Sequence, residues 1–396
     1  MPFQTPFHTR TSTLNQNQEW RDWSGYLAAG LYEHSHEREY YAARNAAALF
    51  DVTPLFKYEV TGPDALRLVD RVMTRDIAKC AIGQVMYSPW CDDEGKVIDD
   101  GTIARLGDNH FRITSAHPNR RWFQDCGYGL DATVEDVSTQ LAALSLQGPR
   151  AREVLKLVTA GVDLDTLKYF RLGQAQIAGF PMTITRTGYT GDLGYELWVA
   201  SENAPQLWDI LLEKGAGYGL APAGLVALDI VRIEAGLLLV DVDYISSAKA
   251  VIESQKSSPF EIGLGWAVAL DKPAFVGRKA LLAEKERGSK WQFIGLEIDW
   301  VHLEQLFNAV DLPPKVTGRA SRVAVPIYKN GKQIGQVTSS TFSPVLKKYV
   351  AIGTVESRYA ALGSEVEIEV TVEYSRERGK ARIVKTPFFN PERKRA

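Results

Sequence analysis

Up to about residue 290, short alternating stretches of apolar and polar residues interleave with amphipathic ones. Phe56-Lys57-Tyr58-Glu59-Val60 has the two-residue period of a half-buried strand, Thr61-Gly62-Pro63-Asp64 then turns the chain, and 65–72 repeats as a helix. The same strand, Gly-Pro and helix order recurs at 144–147, Gly148-Pro149 and 150–158. This is equally readable as a pseudo-repeat of two similar units or as common turn chemistry met twice. Between them 85–90, 96–106 and 110–115 predict a meander, with turns at Asp92-Asp93-Glu94-Gly95 and Gly107-Asp108-Asn109. Segment 36–49 predicts a helix, 177–186 and 194–200 a strand pair, 204–213 a helix, and 222–238 a strongly apolar helix opened by Pro222. The polar stretch 246–258 lacks aromatic residues and is expected as an exposed loop.

Beyond residue 290 the helical period disappears, and strands are expected at 292–298, 323–328, 333–339, 350–355, 365–372 and 380–383. Asn330-Gly331 between two of them is a strong hairpin signal. The fold class expected is therefore α+β: antiparallel sheets with helices over 1–289, followed by a C-terminal β-barrel or sandwich over 290–396.

Composition narrows the function. The chain has 396 residues, 45% of them hydrophobic, so at roughly 100–200 residues per domain it holds two or three domains. Its formal net charge of −2 provides no basic excess for nucleic acid. The apolar run 233–240 is interrupted by Glu234 and is far shorter than the ~20 residues that cross a bilayer. With no secretory pattern in the opening residues, a cytoplasmic location is expected. Three cysteines without a CxxC pair, and six scattered histidines, predict neither a disulfide framework nor a metal site. GxSxG, the P-loop and a strand-led GxGxxG are all absent, which removes the hydrolase elbow and the nucleotide fingerprints.

Three segments carry candidate chemistry. Gly188-Tyr189-Thr190-Gly191-Asp192-Leu193-Gly194-Tyr195-Glu196 brackets aromatics and acids with glycines, which suits a flat heteroaromatic ligand; the other reading is a plain turn with solvated acids. In Gly95-Lys96-Val97-Ile98-Asp99-Asp100-Gly101 two adjacent acids on a strand point to opposite faces, so one can enter a cleft and handle charge or protons. The third segment runs from Arg232-Ile233-Glu234 to Asp241-Val242-Asp243-Tyr244. There Arg232 and Glu234 cannot pair with each other across a turn, and each needs another partner if buried.

Together these motifs resemble the glycine-cleavage T-protein (aminomethyltransferase) family. The likeness runs through Phe50-Asp51-Val52, Thr61-Gly62-Pro63, Met86-Tyr87-Ser88, Gln147-Gly148-Pro149 and Arg186-Thr187-Gly188-Tyr189, then Arg232-Ile233-Glu234-Ala235, Phe275-Val276-Gly277-Arg278 and Thr341-Phe342-Ser343-Pro344. The resemblance implies a three-domain cloverleaf with tetrahydrofolate in a central opening. It assigns Glu196 to the pterin, Tyr87 and Tyr189 to the folate pocket, and Asp100 to the carboxylate near folate N5. Ser115 matches a pocket asparagine if a one-residue gap is allowed, and Asp243 with Tyr244 falls on the expected substrate side.

The chain also departs from that family. Leu228-Asp229 stands for an Arg-Asp pair, Val240-Asp241 for Tyr-Gly, and Asp22-Trp23-Ser24-Gly25-Tyr26 for Asp-Phe-Ala-Gly-Trp, while the loop 245–258 is longer than usual. Because these changes cluster on the donor side, the expected reaction is transfer of a methyl group from a small O-, S- or N-methyl donor to tetrahydrofolate. The alternatives are a glycine-cleavage aminomethyltransferase acting on a lipoyl carrier protein, and a folate-binding protein without catalysis.

Overall fold

The computed structural model describes residues 2–396. Phe56–Thr61 is a strand as expected and turns through Gly62-Pro63 into the helix Ala65–Val72, whose Leu68, Val69 and Val72 are buried. It belongs to a five-stranded antiparallel sheet in the order Val85–Cys91, Val97–Gly107, His110–Ser115, Phe56–Thr61, Thr133–Asp136. The second Gly-Pro turn leads from Leu141–Gln147 into the helix Ala151–Lys156 and lies in a different, seven-stranded sheet. That sheet runs Thr159–Ala160, Leu172–Ile177, Phe180–Thr185, Gly194–Ala200, Leu141–Gln147, Ala47–Asp51, Leu220–Pro222. Each sheet buries its own hydrophobic cluster.

The C-terminal strands close a barrel in the order Trp291–Ile298, Lys348–Glu356, Lys332–Ser343, Val325–Lys329, Glu365–Val372, Ser375–Val384. Asn330 and Gly331 take φ of 49° and 76°, the left-handed pair that a two-residue hairpin turn requires. No helix among the described residues is long and apolar enough to cross a membrane.

Three expected elements differ. The 36–49 helix stops at Asn45, and Ala47–Asp51 is a strand between two others, where small buried alanines suit close strand contact. Segment 177–186 is not one strand: Leu172–Ile177 and Phe180–Thr185 form a hairpin around Ala178 and Gly179, both at positive φ. Pro222 ends a short edge strand, and the helix begins three residues later as Leu225–Glu234. The 246–258 segment is exposed only in its middle. Its base is tied to the strand Val97–Gly107, where Val97 donates to the Ser257 carbonyl (2.9 Å) and Ser247 to the Val97 carbonyl (2.8 Å).

Every residue from Val226 to Glu234 is buried, so the three charges on this helix must find partners inside the protein. Arg232 pairs with Asp229 (2.9 Å) and Asp243 (2.5 Å) and donates to Ser339 of the barrel (2.8 Å). Glu234 accepts from Arg44 (2.7 Å), Tyr40 (2.5 Å) and Ser343 (2.6 Å). The helix is thereby clasped to the Glu37–Asn45 helix on one side and to the barrel on the other.

Candidate active site

Strand alternation sends the side chains of Asp99 and Asp100 to opposite faces of the five-stranded sheet. Asp99 is fully buried, and its oxygens accept from the Asp100 backbone (2.8 Å), the His117 backbone (2.9 Å) and Asn119 Nδ2 (2.8 Å). Asp100 is half-buried on the other face and accepts from the phenols of Tyr87 (2.7 Å) and Tyr244. Burial pushes the Asp100 carboxyl above the ordinary aspartate range, and the two phenols pull it part of the way back by binding the charged form. Burial and the neighbouring carboxylate push both phenols well above the usual tyrosine range, so they remain donors. Tyr87 also stacks on Trp266, with ring centroids 6.0 Å apart and an interplanar angle of 19°. Trp266 is 64% exposed and carries Arg75 over its ring.

The second half of the site comes from the seven-stranded sheet. Glu196 pairs across Gly194–Ala200 with Ser145 on one side and Thr185 on the other. Its Oε2 accepts from Thr187 (2.5 Å) and more weakly from Thr185 (3.4 Å), while Oε1 takes no hydrogen bond from the described residues. Burial raises the Glu196 carboxyl, opposed by these two hydroxyls. The glycine spacing of the motif has a steric cause: a Cβ at Gly188 would lie 2.2 Å, and one at Gly194 2.0 Å, from the Gln147 side chain. Gln147 in turn bonds the Thr187 carbonyl (3.2 Å) and Thr190 (2.8 Å), which fixes the loop carrying Tyr189. Tyr189 donates to the carbonyl of Leu238, which packs in the same hydrophobic cluster as Tyr87, so this ring reaches from the glycine motif toward the Asp100 side. Tyr87, Asp100, Tyr189 and Glu196 are each half-buried.

The structure brings Tyr244 to Asp100 but leaves two other expected residues elsewhere. Ser115 is buried on the Asp99 face of its strand and donates to the His117 carbonyl (2.7 Å). The residues sharing the Asp100 face are Thr102, opposite Tyr87, and Thr114, whose hydroxyls are 2.6 Å apart. Asp243 is occupied by four donors: Thr338, Ser339, Arg232 and the Leu239 backbone. It acts as a clasp between helix and barrel, with both oxygens taken up by these donors. Thr187 and Trp266 were missed in the sequence; only the position of Thr187 inside the glycine motif hinted at its part. Within the motif, Tyr195 faces the core and Asp192 pairs with Arg393 (2.7 and 2.8 Å). No group of three or more His, Cys, Asp or Glu suited to a metal occurs among the described residues. A cleft of about 530 Å³ near His34, His36, Lys315 and Arg319 contains none of the candidate residues.

Two family models match the chain, described as the GCVT N-terminal domain over residues 9–272 and the glycine cleavage T-protein C-terminal barrel domain over residues 312–390. The chain belongs to the aminomethyltransferase family. It is 34% identical over 359 residues to an aminomethyltransferase of Lysinibacillus sphaericus, covering 89% of each chain. It is 36% identical over 370 residues to one of Symbiobacterium thermophilum, covering 90% of each. The crystal structure of the glycine cleavage system aminomethyltransferase T from Bartonella henselae superposes with a TM-score of 0.83 at 25% identity, over 98% of this chain and 99% of that one. These relatives carry the aminomethyl name, not that of a demethylase. The protein is thus a folate-dependent transferase, with tetrahydrofolate the cofactor of its family. The residues present fit that group: the free Oε1 of Glu196 and the phenol-held carboxylate of Asp100 are acceptors that a pterin edge and its reacting nitrogen need.

Proposed function

We propose that this chain receives an aminomethyl group from a lipoyl carrier protein and delivers its carbon to tetrahydrofolate with release of ammonia. What supports the reading is the difference between two half-buried carboxylates, Glu196 with a free oxygen and Asp100 held by two phenols, together with the aminomethyl name of its relatives. Glu196 would grip the pterin amine edge through its free oxygen, while Tyr87 and Tyr189 line the ring's flanks. Bound tetrahydrofolate supplies the nucleophilic nitrogen. Asp100, ionised and held between two phenols, would accept the proton released as the carbon–nitrogen bond forms and stabilise positive charge on the reacting carbon. Thr185 and Thr187 keep Glu196 oriented.

A second reading, a small methyl donor in place of the lipoyl arm, is favoured by three features of the donor side. Leu228 is a buried apolar residue where the family resemblance expects arginine, Asp241 stands in place of glycine, and the 245–258 loop is extended. The binding-only reading is disfavoured by Asp100, since a half-buried carboxylate held by two phenols and raised by burial is the kind of group that clusters where chemistry is done. Incubation with tetrahydrofolate and an aminomethylated lipoyl carrier, followed by mass spectrometry, should yield methylene-tetrahydrofolate and ammonia, with Asp100→Asn slower by roughly 100-fold or more. Absence of both products, with 5-methyl-tetrahydrofolate appearing from a methylated small molecule, would replace the first reading by the second. Full turnover in Asp100→Asn would refute its catalytic role.

A further inference from the structure

Linked to Asp100 through Tyr244 and the turn that carries it lies a polar cluster to which none of these roles is assigned. His117 Nε2 is 2.9 Å from the Asp241 carboxylate and 2.8 Å from Lys249 Nζ, which is itself 2.8 Å from Asp241. His117 Nδ1 is buried and has no hydrogen-bond partner. An orphaned buried nitrogen calls for an explanation.

The backbone around this imidazole is pinned. His117 N–H donates to Asp99 (2.9 Å), and its carbonyl accepts from Ser115 (2.7 Å) and Asn119 (3.0 Å). On the other side, Asp241 and Tyr244 share one tight turn, in which Asp241 N–H donates to the Tyr244 carbonyl (2.8 Å). Tyr244 bonds Asp100, so both walls of the cluster connect to residues at or next to that carboxylate. Asp241 sits at φ +63°, a conformation that costs a non-glycine residue about 1 kcal/mol. The resemblance leads one to expect glycine at this position; the chain accepts the strain and places a carboxylate there.

Nε2 faces one obligatory donor and one obligatory acceptor. It accepts from the Lys249 ammonium when the ring proton is on Nδ1, or donates to Asp241 when that proton is on Nε2. Each state presents the opposite character on the buried side. A ring balanced between two tautomers, with one nitrogen inward and the other at an exposed ion pair, has the layout of a proton relay.

We propose that His117 carries the proton between Asp100 and bulk water during transfer, with Asp241 and Lys249 setting its two states. This rests on the transfer reading above. The overall reaction forms two carbon–nitrogen bonds to the folate and breaks the donor's carbon–sulfur and carbon–amine bonds; of the two folate N–H protons it frees, one ends on the departing amine, which leaves as ammonia, and the other on the thiolate. Asp100 accepts the second of these protons, which passes on to the unpartnered Nδ1 of His117 without a direct Asp100–His117 hydrogen bond, and the Nε2 proton leaves past Asp241 to water, from which the thiolate is reprotonated. Burial holds the imidazole below the ordinary histidine range, so it is neutral and able to accept near pH 7. The charged groups acting on the ring are Asp241 from the turn, Lys249 from the loop and Asp100 from the strand, while Asp99 accepts from its backbone N–H. His117 acts through Asp100 and is a positioning and relay residue.

The test has two arms. In the protein alone, nitrogen-15 NMR should show His117 titrating below the ordinary histidine range, lower still in Asp100→Asn and in Asp241→Asn, and higher in Lys249→Met. In turnover, His117→Ala should lose roughly 10-fold or more in kcat with the KM for tetrahydrofolate unchanged, and added imidazole should restore activity to this variant but not stimulate the parent. A His117 titration indifferent to Asp100→Asn overturns the relay whatever the donor proves to be, as does full kcat in His117→Ala. If the parent is inactive with the aminomethylated carrier while the NMR coupling is present, the donor assignment fails and the relay stands.

Discussion

Asp99 and Asp100 occupy adjacent positions and have opposite surroundings: one is saturated by backbone and amide donors, the other held by two phenols. Alternation predicted the split; which acid turns to the opening depended on where the tyrosines fall, and Tyr244 is distant in the chain. Ser115 shows how sharply register decides, since one residue separates it from Thr114, which shares the Asp100 face. The Asp243 carboxylate reads in the sequence like a ligand-binding acid, but the buried Arg232 requires it. The raised Asp100 carboxyl has a kinetic consequence. Activity that depends on its ionised form must rise with pH through a limb above the ordinary aspartate range. Each phenol lowers that limb, so Tyr244→Phe should move it to higher pH and reduce kcat more at pH 6 than at pH 8. A pH–rate profile checks this, and an unmoved limb would contradict the account.

At the scale of elements, the barrel was the most legible part, because tight turns such as Asn330-Gly331 punctuate its strands. The hairpin inside 177–186 was hidden, since Ala178-Gly179 has an unremarkable first residue that nonetheless adopts positive φ. The alanine run after residue 36 was ambiguous between helix and strand because alanine packs in both, and the neighbouring strands decided the matter. The Gly188–Glu196 loop was legible as a motif, but its support was not. The C-terminal tail reaches back to it: Arg393 makes a two-pronged ion pair with the buried Asp192, and Phe389 N–H donates to the Glu234 carbonyl (2.9 Å). Removing that pair leaves Asp192 with Arg44 at 3.8 Å as its remaining cation. Arg393→Ala should therefore cost about 1–3 kcal/mol of stability and raise the KM for tetrahydrofolate several-fold with kcat nearly unchanged. Amide hydrogen exchange in 188–194 should accelerate, and unchanged protection there would show that the tail does not hold the loop.

At the scale of the molecule, two sheets and a barrel each have their own core, and the helix Leu225–Glu234 sews them together through Arg232 and Glu234. We propose the domain division at 289/290, because the first barrel strand begins at Trp291. The proposed site draws on both sheets: Asp100 and Tyr87 come from one, Glu196 from the other, and Tyr189 lies on the loop that leads into the Glu196 strand. Composition and period predicted the parts, whereas the meeting of distant segments at one place was legible only through a family resemblance. The central claim is that one carboxylate binds the pterin and the other serves the chemistry. Calorimetric titration of tetrahydrofolate into the parent protein, Glu196→Ala and Asp100→Asn tests it most directly. Glu196→Ala should bind roughly 100-fold more weakly, in line with the loss of a charged two-point contact, while Asp100→Asn should bind within about threefold of the parent. Parent-like affinity in Glu196→Ala would contradict the claim.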